Sequence, residues 1–169
     1  TGPDTKVLNL FAYTGGASLV ARSAGADTTH VDSVRKVVDW GRRNMEASGL
    51  DGIRWVVEDA ATFVRREVKR GKTYHGILLD PPAYGRGPAG EKWVLEEQID
   101  DLLRDCAALL APGGFLALNL YSMGLSAVVA HTLINQHFKR QPELLELAVA
   151  DPHGKILPLG TVARLGANQ

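Results

Sequence analysis

The sequence predicts an α/β fold, a doubly wound and mostly parallel seven-stranded sheet with a C-terminal antiparallel hairpin. Five short apolar runs alternate with amphipathic segments, a pattern typical of parallel strands that are connected by helices. The last two apolar runs, 143–149 and 156–165, are separated only by a short polar turn, so they must pair antiparallel. With 169 residues and no internal repeats, the chain 1–169 is expected to form one domain.

Each predicted strand is an apolar run that is bounded by turn or capping residues. The fourth run is apolar enough to lie in the middle of the sheet, and Pro81 and Pro82 stop it. The fifth run follows a proline and two glycines, 112–114, that are expected to end the preceding helix. In chain order, the predicted strands are 7–10, 28–31, 53–57, 74–79, 115–121, 143–149 and 156–165.

Between the strands, apolar side chains recur at helical spacing. Ser33 is predicted to cap the second helix, and Cys106 falls within the apolar stripe of the long fourth helix. Segment 85–90 is rich in glycine and has no apolar anchor, so we expect it to be a mobile loop on the substrate side. Helices are predicted over 17–23, from Ser33 to Gly49, from Asp59 to Gly71, over 95–109 and over 126–138.

The composition limits the classes of protein that need to be considered. Because the formal net charge is zero, a nucleic-acid partner would have to be bound by a local basic patch or by another domain. The single cysteine excludes an internal disulfide and a cysteine-based zinc site, and it fits a reducing, cytoplasmic setting. The chain starts almost directly at a core strand, so we expect a fragment of a longer protein that lacks an N-terminal, substrate-recruiting domain.

Polar side chains end several strands at the sheet edge where doubly wound folds bind ligands. Asp32 ends the second strand and is placed to accept both hydroxyls of a ribose. Asp59 could accept a hydrogen bond from an adenine amine, or it could cap the helix that starts at Ala60. These two positions fit any cofactor that contains adenosine, a nicotinamide dinucleotide included.

The end of the fourth strand narrows the choice of cofactor. In the stretch 80–84, Asp80, the rigid carbonyl of Pro81 and the ring of Tyr84 lie within five residues. Such a pocket can accept hydrogen bonds from a planar base and stack the base on the aromatic ring. In addition, Phe11 and Tyr13 occupy positions where a dinucleotide-binding turn would have glycines.

The runs 7–16, 30–32 and 79–84, together with Asp59, resemble class I S-adenosylmethionine-dependent methyltransferases. More narrowly, they are similar to the branch of large-subunit ribosomal RNA methyltransferase I, which makes 5-methylcytosine. The resemblance covers essentially the whole chain. It implies a Rossmann-like methyltransferase fold, S-adenosyl-L-methionine as the cofactor, a ribosomal or other structured RNA as the substrate, and no metal.

The same resemblance assigns roles to individual residues. The turn from Phe11 to Gly16 would hold the methionine part of the cofactor, Asp32 the ribose and Asp59 the adenine amine. Asp80 would border the methyl group and the target base. The expected catalytic residues are Asp80, Pro81 and Tyr84, and the expected cofactor-binding residues are Phe11, Tyr13, Thr14, Gly15, Gly16, Asp32, Ser33, Asp59, Ala60 and Asp80.

One departure from the 5-methylcytosine branch leaves the methylated atom open. Cytosine C5 is not nucleophilic, so enzymes that methylate it first add a thiolate to C6. Those relatives carry a cysteine just after the fifth strand, where this sequence reads Ser122-Met123-Gly124. An exocyclic amine or a ring nitrogen needs no covalent step, and either could be the acceptor instead.

Three other interpretations remain at this point. A nicotinamide-dependent oxidoreductase has a similar sheet, a non-catalytic RNA-binding relative would explain the missing cysteine, and the acceptor could be a small molecule or a protein. The second helix carries four cations that we interpret first as a solvated surface and second as an RNA contact. They are Arg35, Lys36, Arg42 and Arg43.

Overall fold

The computed structural model describes residues 2, 4–121 and 125–167 and confirms the predicted fold. The helices are α1 (Gly16–Ser23), α2 (Arg35–Ala47), α3 (Ala60–Lys69), α4 (Leu95–Leu109) and α5 (Ala127–Phe138). The strands are β1 (Lys6–Leu10), β2 (Asp27–Asp32), β3 (Arg54–Val57), β4 (Tyr74–Leu79), β5 (Tyr84–Arg86), β6 (Lys92–Val94), β7 (Leu110–Leu120), β8 (Glu143–Ala150) and β9 (Ile156–Leu165). Within the described residues, seven strands form one sheet in the order β3-β2-β1-β4-β7-β9-β8.

Strand β1 marks the point where the strand order reverses. It pairs in parallel with β2 on one side and with β4 on the other. From there the sheet continues in parallel to β3 and to β7, and then antiparallel through β9 to β8. Ligands of doubly wound sheets bind at the carboxyl ends of the strands beside such a reversal. The residues at that place are Phe11, which follows β1, and Asp80, which follows β4.

Helices cover both faces of the sheet because successive side chains of a strand point to opposite faces. Leu8 and Leu10 of β1 face a core to which α3, α4 and α5 also contribute buried side chains. Asn9, between them, faces α1 and donates a hydrogen bond to Ser18. Among the described residues, no helix is both long enough and apolar enough to cross a membrane.

The prediction of an unanchored loop over 85–90 is wrong. Strands β5 and β6 pair antiparallel and form a hairpin at this place. Trp93 of β6 is only 3% exposed, its ring centroid lies 4.9 Å from that of Phe11, and its indole N-H donates to the Pro82 carbonyl at 2.7 Å. Trp93 was missed as the anchor because it follows the glycine-rich segment in sequence. Only the hairpin brings it back against Phe11.

Two helix ends also differ from the sequence prediction. Ser33 does not cap α2, because the N-cap residue is Val34 and no side chain makes a capping hydrogen bond there. The Asp32 carboxylate accepts the Val34 N-H at 2.9 Å in the turn before the helix. Residues 112–114 do not end α4, which stops at Leu109, but lie inside β7. Gly114 is required in that strand, because a Cβ there would come within 2.9 Å of the carbonyl oxygens of Ala111 and His75.

Candidate active site

A cleft of about 590 Å³ opens at the carboxyl ends of the strands beside the reversal of strand order. This volume lies in the range of cofactor sites. The turn after β1, the ends of β2, β4 and β7, the first turn of α2 and the β5-β6 hairpin all contribute to its wall. The lining residues are Phe11, Tyr13, Asp32, Ser33, Val34, Val37, Asp80, Pro82, Tyr84, Gly85, Arg86, Asn119 and Tyr121.

The turn after β1 has a strained backbone. Phe11 and Tyr13 adopt positive φ angles of 54° and 47°, which residues with a side chain rarely do. The turn is held by backbone bonds from Ala12 to Val31 and from Gly15 to Ala12, and by the Tyr13 N-H, which donates to Asp32 at 2.9 Å. Both aromatic residues of this strained turn line the cleft.

Asp32 has its carboxylate at the cleft wall with hydrogen-bonding capacity remaining. One carboxylate oxygen accepts the Tyr13 N-H and the other accepts the Val34 N-H, each at 2.9 Å. A carboxylate offers about four lone-pair directions, so a vicinal diol could still bind to both oxygens. Ser33 lies beside it and also lines the cleft.

Asp59 lies beside the main cleft rather than in it. Its carboxylate accepts the Thr62 N-H at 2.8 Å and so caps α3, which is one of the two roles that the sequence left open. Asp59 and Ala60 line a small adjoining cavity of about 30 Å³. The cavity and the cleft adjoin, since Asp32, Ser33 and Arg86 are among the residues that line both.

Asp80 is the exposed carboxylate at the end of β4. Asn119, on the neighbouring strand β7, donates a hydrogen bond from its side-chain amide to the Asp80 carboxylate at 2.9 Å. Burial and the negative charge of Asp80 raise the pKa of Tyr121, whose ring also lines the cleft. The Asn119 side-chain oxygen is buried and has no hydrogen-bond partner in the described part of the chain. The Asp80 carboxylate is therefore the exposed hydrogen-bond acceptor of this pair.

The other two expected catalytic residues differ in position. Tyr84 lines the cleft and is 80% exposed, so its ring is available for stacking. Pro81 is buried and does not line the cleft, whereas Pro82 does. The Pro82 carbonyl already accepts the Trp93 indole N-H, and this bond fixes the hairpin to the Asp-Pro-Pro segment.

Three residues expected to bind the cofactor line neither the cleft nor the small cavity. They are Thr14, Gly15 and Gly16. The Thr14 carbonyl accepts a hydrogen bond from the Asn44 side chain. Gly15, at φ 90°, is the N-cap of α1, and a Cβ there would lie 3.5 Å from the Trp55 ring. Gly41 of α2 is required for the same packing, since its Cβ would approach the Trp55 ring to 2.7 Å.

Beneath this turn lies a buried polar chain that sequence reasoning missed. The Asn9 amide donates to the Ser18 hydroxyl at 2.8 Å, and the Ser18 oxygen lies 3.0 Å from the Nδ1 atom of His30. Burial lowers the pKa of His30 to about 4, so the ring is neutral and its Nδ1 atom can accept the Ser18 hydroxyl proton. The His30 ring packs on Trp55, with 4.4 Å between the ring centroids.

Sequence reasoning also missed Asn119, Tyr121, Val37 and Arg86 as lining residues. The alternation of β7 could have identified Asn119, a polar side chain near the end of an apolar strand. The sequence placed segment 85–90 on the substrate side, and Gly85 and Arg86 do line the cleft, but it did not single out Arg86. Cys106 is confirmed as a core residue, with no exposed surface, and burial raises the pKa of its thiol. The segment Ser122-Met123-Gly124 lies outside the described residues.

No group of three or more His, Cys, Asp or Glu side chains is arranged to hold a metal ion in the ranges that the structure describes. The wall instead offers carboxylates and aromatic rings. This donor set fits an organic cofactor and a planar acceptor.

Comparison with known proteins gives a consistent result. A family model described as S-adenosylmethionine-dependent methyltransferase matches residues 2–149. The ribosomal RNA large subunit methyltransferase K/L of Hahella chejuensis is 39% identical over 115 residues, which cover 66% of this chain and 16% of that protein. The protein of the same name from Syntrophotalea carbinolica is 40% identical over 114 residues, which cover 64% of this chain and 15% of that protein.

Solved structures agree with this match. The SAM-dependent methyltransferase from Agrobacterium tumefaciens superposes with a TM-score of 0.89 and 39% identity, over 96% of this chain and 56% of that one. SMU.776, solved with SAH, has a TM-score of 0.78 at 22% identity over 96% of this chain and 46% of that one, and it supports the fold alone. The chain thus spans about 16% of the length of the curated relatives that it matches.

Proposed function

Because this chain belongs to the family of S-adenosylmethionine-dependent methyltransferases, we propose that it transfers a methyl group from S-adenosylmethionine to a base nitrogen of large-subunit ribosomal RNA. The curated relatives named for ribosomal RNA methylation support the RNA substrate. The proposed setting is cytoplasmic, and a further domain of the whole protein would recruit the RNA.

The cleft supports the proposed cofactor. Asp32 would hold the ribose hydroxyls, Phe11 and Tyr13 would enclose the methionine part, and Ser33 would lie beside the ribose. Asp59 would accept a hydrogen bond from the adenine amine at the adjoining small cavity, which Ala60 also lines. When bound, S-adenosylmethionine supplies an activated methyl group on a sulfonium. The chain contributes alignment of the acceptor and exclusion of water, which are the main contributions to an in-line displacement.

The proposed methyl acceptor, a base nitrogen, follows from the hydrogen-bonding group at the end of β4. Asp80 is exposed at the cleft and is oriented by the Asn119 amide. A carboxylate held in this way fits an amine or ring N-H of a base, and Tyr84 would stack the base from its exposed position. The presence of this oriented carboxylate and the exposed Tyr84 ring at one cleft is the observation that carries the proposal. Asp80 would accept the proton that the nitrogen loses as its methyl bond forms.

The resemblance to the 5-methylcytosine branch suggests cytosine C5 as the acceptor, and the cysteine content of the chain argues against it. Methylation at C5 needs a thiolate that reaches the base. Cys106 is the only cysteine of the 169 residues, and it lies in the core with a raised thiol pKa. A nitrogen acceptor needs no such nucleophile.

Incubation with methyl-labelled S-adenosylmethionine and ribosomal RNA from cells that lack the gene tests the proposal. Mass spectrometry of the nucleosides should find the label in an N-methylated base. Asp80→Asn should lower the transfer rate about 100-fold or more while cofactor affinity stays within about threefold. The matched control Cys106→Ala should retain activity. Labelled 5-methylcytosine would contradict a nitrogen acceptor, and unlabelled RNA would contradict the RNA substrate.

A further inference from the structure

Most of the exposed aromatic side chains lie at the cleft. In the described part of the chain, the aromatic residues that stand out into solvent are Tyr13, Trp40, Tyr84 and Tyr121. Tyr13, Tyr84 and Tyr121 line the cleft. Trp40 does not, yet it lies on α2 three residues beyond Val37, which does. Its indole is therefore close to the rim on the outer surface of α2.

Trp40 is 49% exposed, although tryptophan is a large apolar side chain that is costly to leave in water. It is the middle member of a set spaced by four and three residues, Lys36, Trp40 and Arg43. At 3.6 residues per turn these three side chains share one helix face, and all three are exposed. We refer to them as the α2 platform.

Lys36 and Arg43, the cations of the platform, form no ion pair with another described residue. Among the described residues, ion pairs involve other cations, namely Arg22, Arg66, Arg70, Arg104, His137 and Arg164. Lys36 and Arg43 border a surface depression together with Arg42, Asp39 and Glu46, so cations exceed carboxylates there by one although the whole chain has no net charge.

We infer that the α2 platform binds single-stranded RNA next to the base that enters the cleft, with an unpaired base stacked on Trp40 and flanking phosphates bound by Lys36 and Arg43. This inference rests on the proposed function and adds the surface that receives the substrate. Aromatic stacking flanked by cations is how proteins bind unpaired nucleotides. The platform extends about 10 Å along the helix, enough for one base and the phosphates on either side.

Fluorescence anisotropy with a labelled 12-nucleotide single-stranded RNA of mixed sequence, at about 0.15 M salt, tests the platform. Trp40→Ala should weaken binding at least about fivefold, and Trp40→Phe should restore most of it because the aromatic face remains. Lys36→Glu with Arg43→Glu should weaken binding about tenfold or more. The matched control is Arg65→Glu with Lys69→Glu, which makes the same charge change at two exposed positions of α3, on the other face of the sheet. At this salt, screening beyond about 8 Å should limit its effect to about twofold.

A second readout separates a structural role from a binding role. Trp40→Ala should raise KM for RNA while kcat and the affinity for S-adenosylmethionine stay unchanged, and circular dichroism should show the same thermal unfolding midpoint within a few degrees. Equal weakening by both double variants would contradict the inference, as would equally strong competition by a polyglutamate peptide. If the platform variants bind RNA normally while RNA is methylated, the inference fails and the proposed function stands. If the unaltered protein neither binds nor methylates RNA, both fail.

Discussion

At the scale of single residues, the site depends on carboxylates that have two uses. Asp32 orders the turn after β1 and the start of α2 through its two bonds, and it keeps lone pairs for a ligand. Asp59 caps α3 through one oxygen and lines the small cavity beside the cleft. For each of them, a local structural role and the expected ligand role are compatible because the carboxylate oxygens keep free lone pairs.

Two substitutions of Asp59 separate capping from adenine binding. Asp59→Ala should lower the free energy of unfolding by about 1 kcal/mol, because the N-cap is lost, and should also weaken cofactor binding. Asp59→Asn keeps a capping oxygen and should leave stability within about 0.5 kcal/mol. Its amide would then present a donor to the adenine amine, so the Kd for S-adenosylmethionine should rise about tenfold.

Urea unfolding and calorimetric titration measure the two effects on the same samples. If Asp59→Asn binds the cofactor as tightly as the unaltered protein does, Asp59 is a helix cap only. The role in adenine binding would then have to be given up.

At the scale of secondary-structure elements, α1 is attached to the sheet by the buried chain from Asn9 through Ser18 to His30. This chain links β1, α1 and β2 directly below the strained turn. Its polar groups are neutral, and His30 stays unprotonated because burial lowers its pKa to about 4. Charging the ring would break the acceptor role of its Nδ1 atom.

The lowered pKa of His30 predicts a pH dependence of stability. Between its ordinary pKa of 6.5 and about 4, the unfolded chain binds a proton that the folded chain does not. The free energy of unfolding should therefore fall as pH falls through this window, by up to about 3 kcal/mol from this group. His30→Asn keeps an acceptor for Ser18 and should flatten the curve in this window.

The matched control is His153→Gln, a change in the exposed turn between β8 and β9, and it should leave the pH profile unchanged. Urea unfolding at several pH values between 4 and 7 measures the slopes. An equal slope for the unaltered protein and for His30→Asn would contradict the assignment of the pH effect to His30.

Some secondary-structure elements could be predicted from the sequence, and others could not. The sheet and its terminal hairpin follow from apolar runs and short connections, which are local properties. The β5-β6 hairpin does not, because its anchor Trp93 contacts Phe11, 82 residues away in sequence. The N-cap position of α2 at Val34 was missed because Ser33 is a good cap by residue type, and only the backbone geometry decides where the helix begins.

At the scale of the whole molecule, the reversal of strand order at β1 concentrates the site. Residues from the ends of β1, β2, β4 and β7 meet in one cleft although they are spread over more than a hundred positions. Asp32, Asp80 and Tyr84 could be placed there from the sequence, because strand ends share one edge. The bond from Asn119 to Asp80 and the exposure of Trp40 required coordinates, since both depend on packing between elements.

The central claim is that the cleft beside β1 and β4 binds S-adenosylmethionine through Asp32. Isothermal titration of S-adenosylmethionine into the unaltered protein, Asp32→Ala and the control Asp39→Ala tests it most directly, because the control removes one exposed carboxylate from α2. Asp32→Ala should bind at least about tenfold more weakly, and Asp39→Ala should bind like the unaltered protein. Equal affinity of Asp32→Ala and the unaltered protein would contradict the claim.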